Sequence, residues 1–364
     1  MASFGIRESK YRNTIVTVSK REKFYENIKD ASLQEPTLGL TATTSLFAYH
    51  SSQGGGSAIG VLPLTSTGKN HVPLVSAAYQ QPLIRYGAVV TDIQFNPFDP
   101  HQLFACSNDG SLKVFDIPVD GLVADLIEPL GVYRPTVTGS SSCTDPFKGL
   151  AVHPLASGIV ACRGPRSISL FDVTSPSLTG SSVVSTLTIS PDSTATTFEG
   201  DLYSLSWSYN GNLLVATSKD KRIRLLDPRQ GQMVVANVPG HANVRYSTTQ
   251  WLNTDHHFVS CGHGSAMERE MMLWDVRKLI TIDNDNTSTP ALHESTCISR
   301  DRIDSSIGPM MPLFDPDTGL LVLAGKGDTT IRLYEFAAGD FDPALALTKA
   351  LILSLIYHLQ LVFR

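Results

Sequence analysis

The chain has 364 residues, of which 42% are hydrophobic and 17% charged, enough apolar material for one large core or two small ones. A net charge of −5 and a pI near 6.0 exclude a bulk positive field that would draw the whole molecule onto nucleic acid or an anionic membrane. Five cysteines, an odd number with no C-x-x-C pair, exclude a disulfide framework and a zinc finger.

The N-terminal segment 1–36 is locally basic. Its first 29 residues carry Arg7, Lys10, Arg12, Lys20, Arg21, Lys23 and Lys29 against Glu8, Glu22 and Glu26, a balance of 7 − 3 = +4. Composition alone fits either a solvated strand or a surface for an acidic partner. No apolar run serves as a secretory signal, so a cytosolic protein is expected.

From residue 103 onward one phrase returns five times: an apolar strand, a polar turn, an alternating strand, then an aromatic or Leu followed by an acid. The copies are LFACSNDGSLKVFD (103–116), IVACRGPRSISLFD (159–172), LLVATSKDKRIRLLD (213–227), FVSCGHGSAMEREMMLWD (258–275) and LVLAGKGDTTIRLYE (321–335). Their closing acids Asp116, Asp172, Asp227, Asp275 and Glu335 are 56, 55, 48 and 60 residues apart, somewhat longer than the roughly 40 to 45 of a minimal WD40 blade. Each copy is preceded by another apolar strand with a turn, as in VTDIQFNPFDP and YSLSWSYNGN. Two strands plus two strands per repeat, without a helical period between Leu38 and Glu335, predicts four-stranded antiparallel sheets repeated radially: an all-β, WD40-type β-propeller.

That register places Cys106, Cys162 and Cys261 just before the turn in different repeats, as small core residues. The stretch from Thr174 to Thr197, rich in Ser and Thr, reads as an outer loop. The turn acids Asp109, Asp220 and Asp328 each lie seven residues before the closing acid and are expected to hold the fold rather than to act as catalytic carboxylates. No G-x-S-x-G elbow, H-E-x-x-H pair or Walker-type run is present, and His256, His257 and His263 lack the paired spacing of a structural zinc site. No catalytic residue, metal site or cofactor is expected, and the chain is read as a non-enzyme.

The phrase YSLSWSYNGNLLVATSKDKRIRLLDPR (203–229), the phrase FDPDTGLLVLAGKGDTTIRLYE (314–335) and the opening SKYRN with FYENIKD resemble the coronin family, and with GVLPLTSTGK they resemble most the first propeller of the long, tandem-propeller coronins. The resemblance covers about residues 6 to 338 and implies a seven-bladed ring in which an N-terminal strand completes the last blade. LFAYHSSQGGGSAIGVLPL (46–64) would then supply the outer pair of the first sheet or that closing strand. In repeats of this kind the turn Asp bonds backbone amides and a histidine of its own blade, and Gly240-His241 looks like a surviving Gly-His of that network. After Asp340 the seventh blade is missing or replaced by FDPALALTKALILSLIYHLQLVFR, read as a truncated or alternative end, a helix packed into the gap, or a tail anchor interrupted by Lys349, His358 and Gln360. The expected organisation is a basic arm (1–36), a propeller of five clear repeats plus an N-terminal half-blade (37–338), and a divergent hydrophobic tail (339–364).

The resemblance implies actin-filament binding and organisation of the actin cytoskeleton by a scaffold in the cytoplasm. A basic residue directly after the Tyr-acidic-(Asp/Asn)-Ile phrase is implicated in filament binding in that family, and Tyr25-Glu26-Asn27-Ile28 puts Lys29 there. Lys29, assisted by Lys20, Arg21 and Lys23, is therefore the expected F-actin contact. Lys219, Lys221, Arg222 and Arg224 form a second, weaker basic patch in a blade turn and strand, where Arg222 and Arg224 share a face. The alternative is a Golgi-associated adaptor for vesicle trafficking or ubiquitin-ligase recruitment without direct filament contact. Other cytoskeletal or trafficking proteins are further expected partners, with no nucleic acid and no stable membrane insertion. Without a coiled coil, a monomer is expected.

Overall fold

Short apolar runs, each broken after five or six residues by Gly, Pro, Asn or Asp, cannot extend into helices and pair instead as antiparallel hairpins. The computed structural model describes residues 11, 20–23, 25, 28, 37, 39–67, 81–135, 145–174, 183–188, 200–230, 234–252, 255–279, 297–328, 330–336 and 347–354, with the backbone alone at 21, 183–188 and 347–354.

Within these residues the hairpins assemble into six sheets of four antiparallel strands. The first holds β1 (Leu40–Ala42), β2 (Leu46–Ser51), β3 (Ala58–Pro63) and β4 (Leu83–Arg85), and the second β5 (Val90–Phe95), β6 (Gln102–Ser107), β7 (Leu112–Asp116) and β8 (Gly131–Tyr133). The third holds β9 (Gly149–Val152), β10 (Ile159–Arg163), β11 (Ser167–Asp172) and β12 (Val183–Thr188), and the fourth β13 (Leu202–Trp207), β14 (Leu214–Ser218), β15 (Arg222–Leu226) and β16 (Val234–Pro239). The fifth holds β17 (Thr248–Trp251), β18 (His257–His263), β19 (Arg269–Asp275) and β20 (Ser299–Asp304), and the sixth β21 (Met310–Asp315), β22 (Leu320–Gly325), β23 (Thr330–Phe336) and β24 (Leu347–Ser354).

The two faces of each inner sheet pack against different neighbours, which is why second strands such as β6, β14 and β18 are buried almost throughout. Leu103 and Ala105 face sheet 1 while Phe104 and Cys106 face sheet 3; Val160 and Cys162 face sheet 2 while Ala161 faces sheet 4. Five such cores join the six sheets in chain order among the described residues. The first strands of successive sheets lie side by side, and a side-chain hydrogen bond crosses each junction. Phe95 N donates to Thr41 Oγ1 (3.2 Å), Leu150 N to Asp92 Oδ2 (3.0 Å), and Trp207 Nε1 to the Ala151 carbonyl (3.0 Å). Trp251 Nε1 donates to the Ser206 carbonyl (3.1 Å) and Thr248 Oγ1 to the Met310 carbonyl (2.7 Å).

The result is an all-β propeller of six described blades, one fewer than the seven that the resemblance implies. Three expectations are corrected. The segment 46–64 is not half a blade: it forms the two middle strands β2 and β3, which β1 and β4 flank to complete a sheet. Part of the Ser/Thr-rich stretch is the strand β12, paired with β11. Within the hydrophobic tail, Leu347–Ser354 is neither helix nor anchor but the outer strand of sheet 6, where it satisfies the free edge of β23 and carries the sheet beyond residue 338.

Candidate functional site

In a four-stranded meander the links after strands one and three lie at one end, and those after strands two and four at the other. A radial array of such sheets therefore has two rims of different loops, and the candidate residues divide between them.

On the rim of second-to-third-strand turns, Asp109 and Asp220 do the same work. Each accepts from the amide two residues on, Ser111 N and Arg222 N at 3.1 Å, and from the hydroxyl two residues back, Ser107 and Ser218. Burial alone would raise both carboxyls, but these bonds, with Arg134 at Asp109 and Arg224 at Asp220, hold them below the usual range. Asp328 instead faces Arg269 of the neighbouring sheet at 2.5 Å and Ser306 Oγ at 3.4 Å. The expected histidine partner is not found among the described contacts: there these three acids bond Ser, Arg and amides, while His241 of the Gly240-His241 pair meets an acid of sheet 5.

There His241 Nδ1 meets Glu270 Oε1 at 2.9 Å and Nε2 meets Ser260 Oγ at 2.9 Å, while Trp274 Nε1 donates to the same hydroxyl at 2.8 Å. The donor order is self-consistent: His Nδ1–H to carboxylate, Ser O–H to Nε2, indole N–H to the Ser oxygen. All four side chains are buried. Gly262 permits this packing, since a Cβ there would overlap the His241 ring. Burial would raise the Glu270 carboxyl, but the His241 bond and the charges of Arg300 and Arg302 hold it low. Here the acid that meets the histidine is a strand residue, Glu270 of β19, and not a turn Asp.

The second basic patch is only partly a patch. Lys219, Lys221 and Arg222 are exposed. Arg224 is 2% exposed, with Nη1 on Ser218 Oγ at 2.7 Å and Nη2 on Asp220 Oδ2 at 2.6 Å, and is corrected to an internal brace of the turn. Arg222 and Arg224 do share a strand face, but the inward end of that face is covered.

The N-terminal basic group lies by the opposite rim. Arg21–Lys23 form a single 3-10 turn, Lys23 N donates to the Lys20 carbonyl at 2.9 Å, and Lys20 and Lys23 are exposed. Tyr25 anchors this segment: its hydroxyl donates to the Leu64 carbonyl after β3 (2.7 Å) and its ring lies 4.5 Å from that of Phe47. Upstream, Tyr11 donates to the Thr318 carbonyl in the β21–β22 turn at 2.6 Å. The arm thus touches sheet 6 and sheet 1 on the rim of first- and third-strand turns, away from Lys219–Arg222. Lys29 and Cys143 lie outside the described residues, and Arg21 is described in its backbone alone.

Cys106, Cys162 and Cys261 are buried core residues, and burial raises each thiol. Among the described residues no group of three His, Cys, Asp or Glu side chains comes together to hold a metal, and no helix is long and apolar enough to cross a membrane.

Radial four-stranded sheets with hydrogen-bonded turn acids and a His-Ser-Trp network define a WD40 β-propeller, a scaffold fold without a catalytic motif. The family model described as WD domain, G-beta repeat matches residues 81–116 and 193–227, and one described as a domain of unknown function (DUF1899) matches residues 4–69. The domain is homologous to the coronin-family proteins. It is 29% identical to coronin-7 of Bos taurus over 358 residues, 98% of this chain and 34% of the relative. To coronin-2A of Homo sapiens it is 29% identical over 337 residues, 91% of this chain and 56% of the relative. The chain therefore spans about a third of the coronin-7 relatives it matches. A crystal structure of the WD40 domain from Toxoplasma gondii coronin shares the fold, with a TM-score of 0.72 at 24% identity over 93% of this chain and 77% of that one.

Proposed function

We propose that this chain is a non-catalytic cytoplasmic scaffold that binds actin filaments through its N-terminal arm. The homology to coronin propellers carries the reading, and the exposure of Lys20 and Lys23 on a segment pinned by Tyr25 supports it. Lys29, four residues beyond that anchor, is the central contact, with Lys20, Arg21 and Lys23 adding attraction that salt screens. The contact belongs to the arm and not to Lys219, Lys221 and Arg222, which open on the other rim. The test is co-sedimentation of the chain with F-actin at low and physiological salt, beside a tube without actin. Lys29→Glu is expected to raise the apparent Kd for filaments about fivefold, roughly 1 kcal/mol, an ordinary size for a single interface charge. Supernatant protein in every tube, or pelleting that Lys29→Glu leaves unchanged, sinks the proposal.

A further inference from the structure

The links that lead into sheets 3, 4, 5 and 6 converge with the turns of sheets 4 and 5 around a pocket of about 300 Å³. That volume is at the lower end for ligand sites, room for a side chain or two and not for a cofactor. The wall carries Lys148, Lys219 and Arg245 against one acid, Asp201. Lys148 Nζ is bonded to Asp201 at 2.9 Å, so that pair is internally neutral. Lys219 is exposed, and among the described residues its ammonium has no bonded partner and the Arg245 guanidinium reaches only the Ile307 carbonyl, at 3.4 Å. Two cations thus face the opening uncompensated in a chain of net charge −5.

Beside them, Val244 is 49% and Ile307 66% exposed, an apolar lip next to the charge. At the base, His263 is 2% exposed, and among the described residues its ring nitrogens have no side-chain hydrogen-bond partner, the Ser306 backbone being the polar group beside them. Burial lowers its pKa, opposed by the Ser306 backbone, so it adds a polar but not a cationic group to the floor of the pocket. The internal guanidiniums of this rim, by contrast, are committed: Arg163 to the Leu202 and Lys148 carbonyls, Arg224 to Asp220, Arg269 to Asp304 and Asp328.

We propose that this pocket binds an acidic peptide segment of a partner protein, one carboxylate meeting Lys219 and Arg245 while an adjoining apolar side chain covers Val244 and Ile307. A free inorganic anion would leave the lip exposed, and a purely apolar segment would bury two unpaired cations. The pocket opens on the rim opposite the arm contact to Leu64, so the site stands or falls independently of filament binding.

The probe is a fluorescein-labelled peptide of alternating glutamate and phenylalanine, followed by anisotropy with the full chain. Arg245→Glu is expected to weaken it at least tenfold, as is glutamine for glutamate in the peptide; Ile307→Ser and alanine for phenylalanine each weaken it about fivefold. Lys20→Glu/Lys23→Glu leaves it unchanged, and Arg245→Glu leaves actin pelleting unchanged. Ile307→Ser, on an exposed side chain, keeps the test decisive should Arg245→Glu unfold the chain. The proposal is overturned by absent binding at 1 mM peptide, by equal binding to Arg245→Glu, by an equal loss in Lys20→Glu/Lys23→Glu, or by displacement with inorganic phosphate at constant ionic strength.

Discussion

Arg269→Met is expected to lower the thermal midpoint by roughly 5 to 8 °C. Arg269 is 1% exposed; its Nε and Nη2 fork onto Asp304 at 2.6 and 2.5 Å, and Nη2 also reaches Asp328 of the next sheet at 2.5 Å. Arg332 is the remaining cation, 2.7 Å from Asp304 and 3.8 Å from Asp328. Methionine keeps the buried stem but leaves two largely covered carboxylates facing one guanidinium, and removing one partner of a buried pair costs about 3–5 kcal/mol. With about 2.1 cal/mol/K of unfolding entropy per residue over some 300 residues, ~0.6 kcal/mol/K, that cost gives the stated shift. Differential scanning calorimetry measures it. Because the penalty is a stranded charge, Arg269→Met with Asp304→Asn should cost less than the sum of the two singles, by about 1–3 kcal/mol. A shift under 2 °C, or strictly additive singles, refutes the view that this cluster clamps sheet 5 to sheet 6.

His50 makes the protein acid-labile. Buried, with no partner for either ring nitrogen among the described residues, it is lowered to about 4; its folded value lies below its unfolded value, so its contribution is whole above about pH 6.5 and is lost as the pH falls toward 4, up to ~3 kcal/mol. Burial raises Asp92 to about 6, and that group works in the opposite sense, losing its contribution as the pH rises through 6. The measurement is therefore the midpoint difference between His50→Leu and the parent chain, which should widen in the variant's favour between pH 6.5 and 4; a constant difference refutes the assignment. For the thiols, a Cys143→Ser/Cys297→Ser variant should show no fast-reacting thiol when native and three in denaturant, since burial of Cys106, Cys162 and Cys261 disfavours the thiolate; one reactive equivalent in the native state contradicts the buried register. Lys221 holds φ at +65° where the equivalent turn of sheet 2 has Gly110 at +71°, so Lys221→Gly should stabilise by about 0.5–1 kcal/mol in urea titrations, strain relief exceeding the entropy glycine adds to the unfolded chain. No gain would mean that the turn bears no strain.

The second and third strands of sheets 2 to 6 were legible because their alternation ends in a repeated aromatic-acid or Leu-acid pair. The first sheet was not recognised as whole, since its phrase closes on Leu62-Pro63 with no acid, and its flanks β1 and β4 are three residues each. Outer strands escaped for a related reason: β20 reads Ser-Arg-Asp-Arg-Ile-Asp, the polar pattern of an edge that faces water on one side. The Gly240-His241 pair was readable, but Glu270 was not, because it lies on β19, five residues before the closing Asp275, and not at the turn position of the other acids. Alternation put Arg222 and Arg224 on one face without telling which end of that face a neighbouring turn would cover. The pocket drew Lys148, Lys219, Arg245 and Ile307 from four distant segments, and no local pattern joins residues that only a ring brings together.

The Tyr11–Thr318 hydrogen bond spans 307 residues, and its two ends are not made at the same time. At roughly 5–20 residues per second, the arm is synthesised about 15 to 60 s before its acceptor exists. For that interval the arm can be fastened to sheet 1 through Tyr25 and Leu64 but not to sheet 6, and the residues ahead of Tyr25 stay within reach of any acidic surface near the ribosome. Its final seat on sheet 6 is then a record that translation has passed the sixth blade's first hairpin.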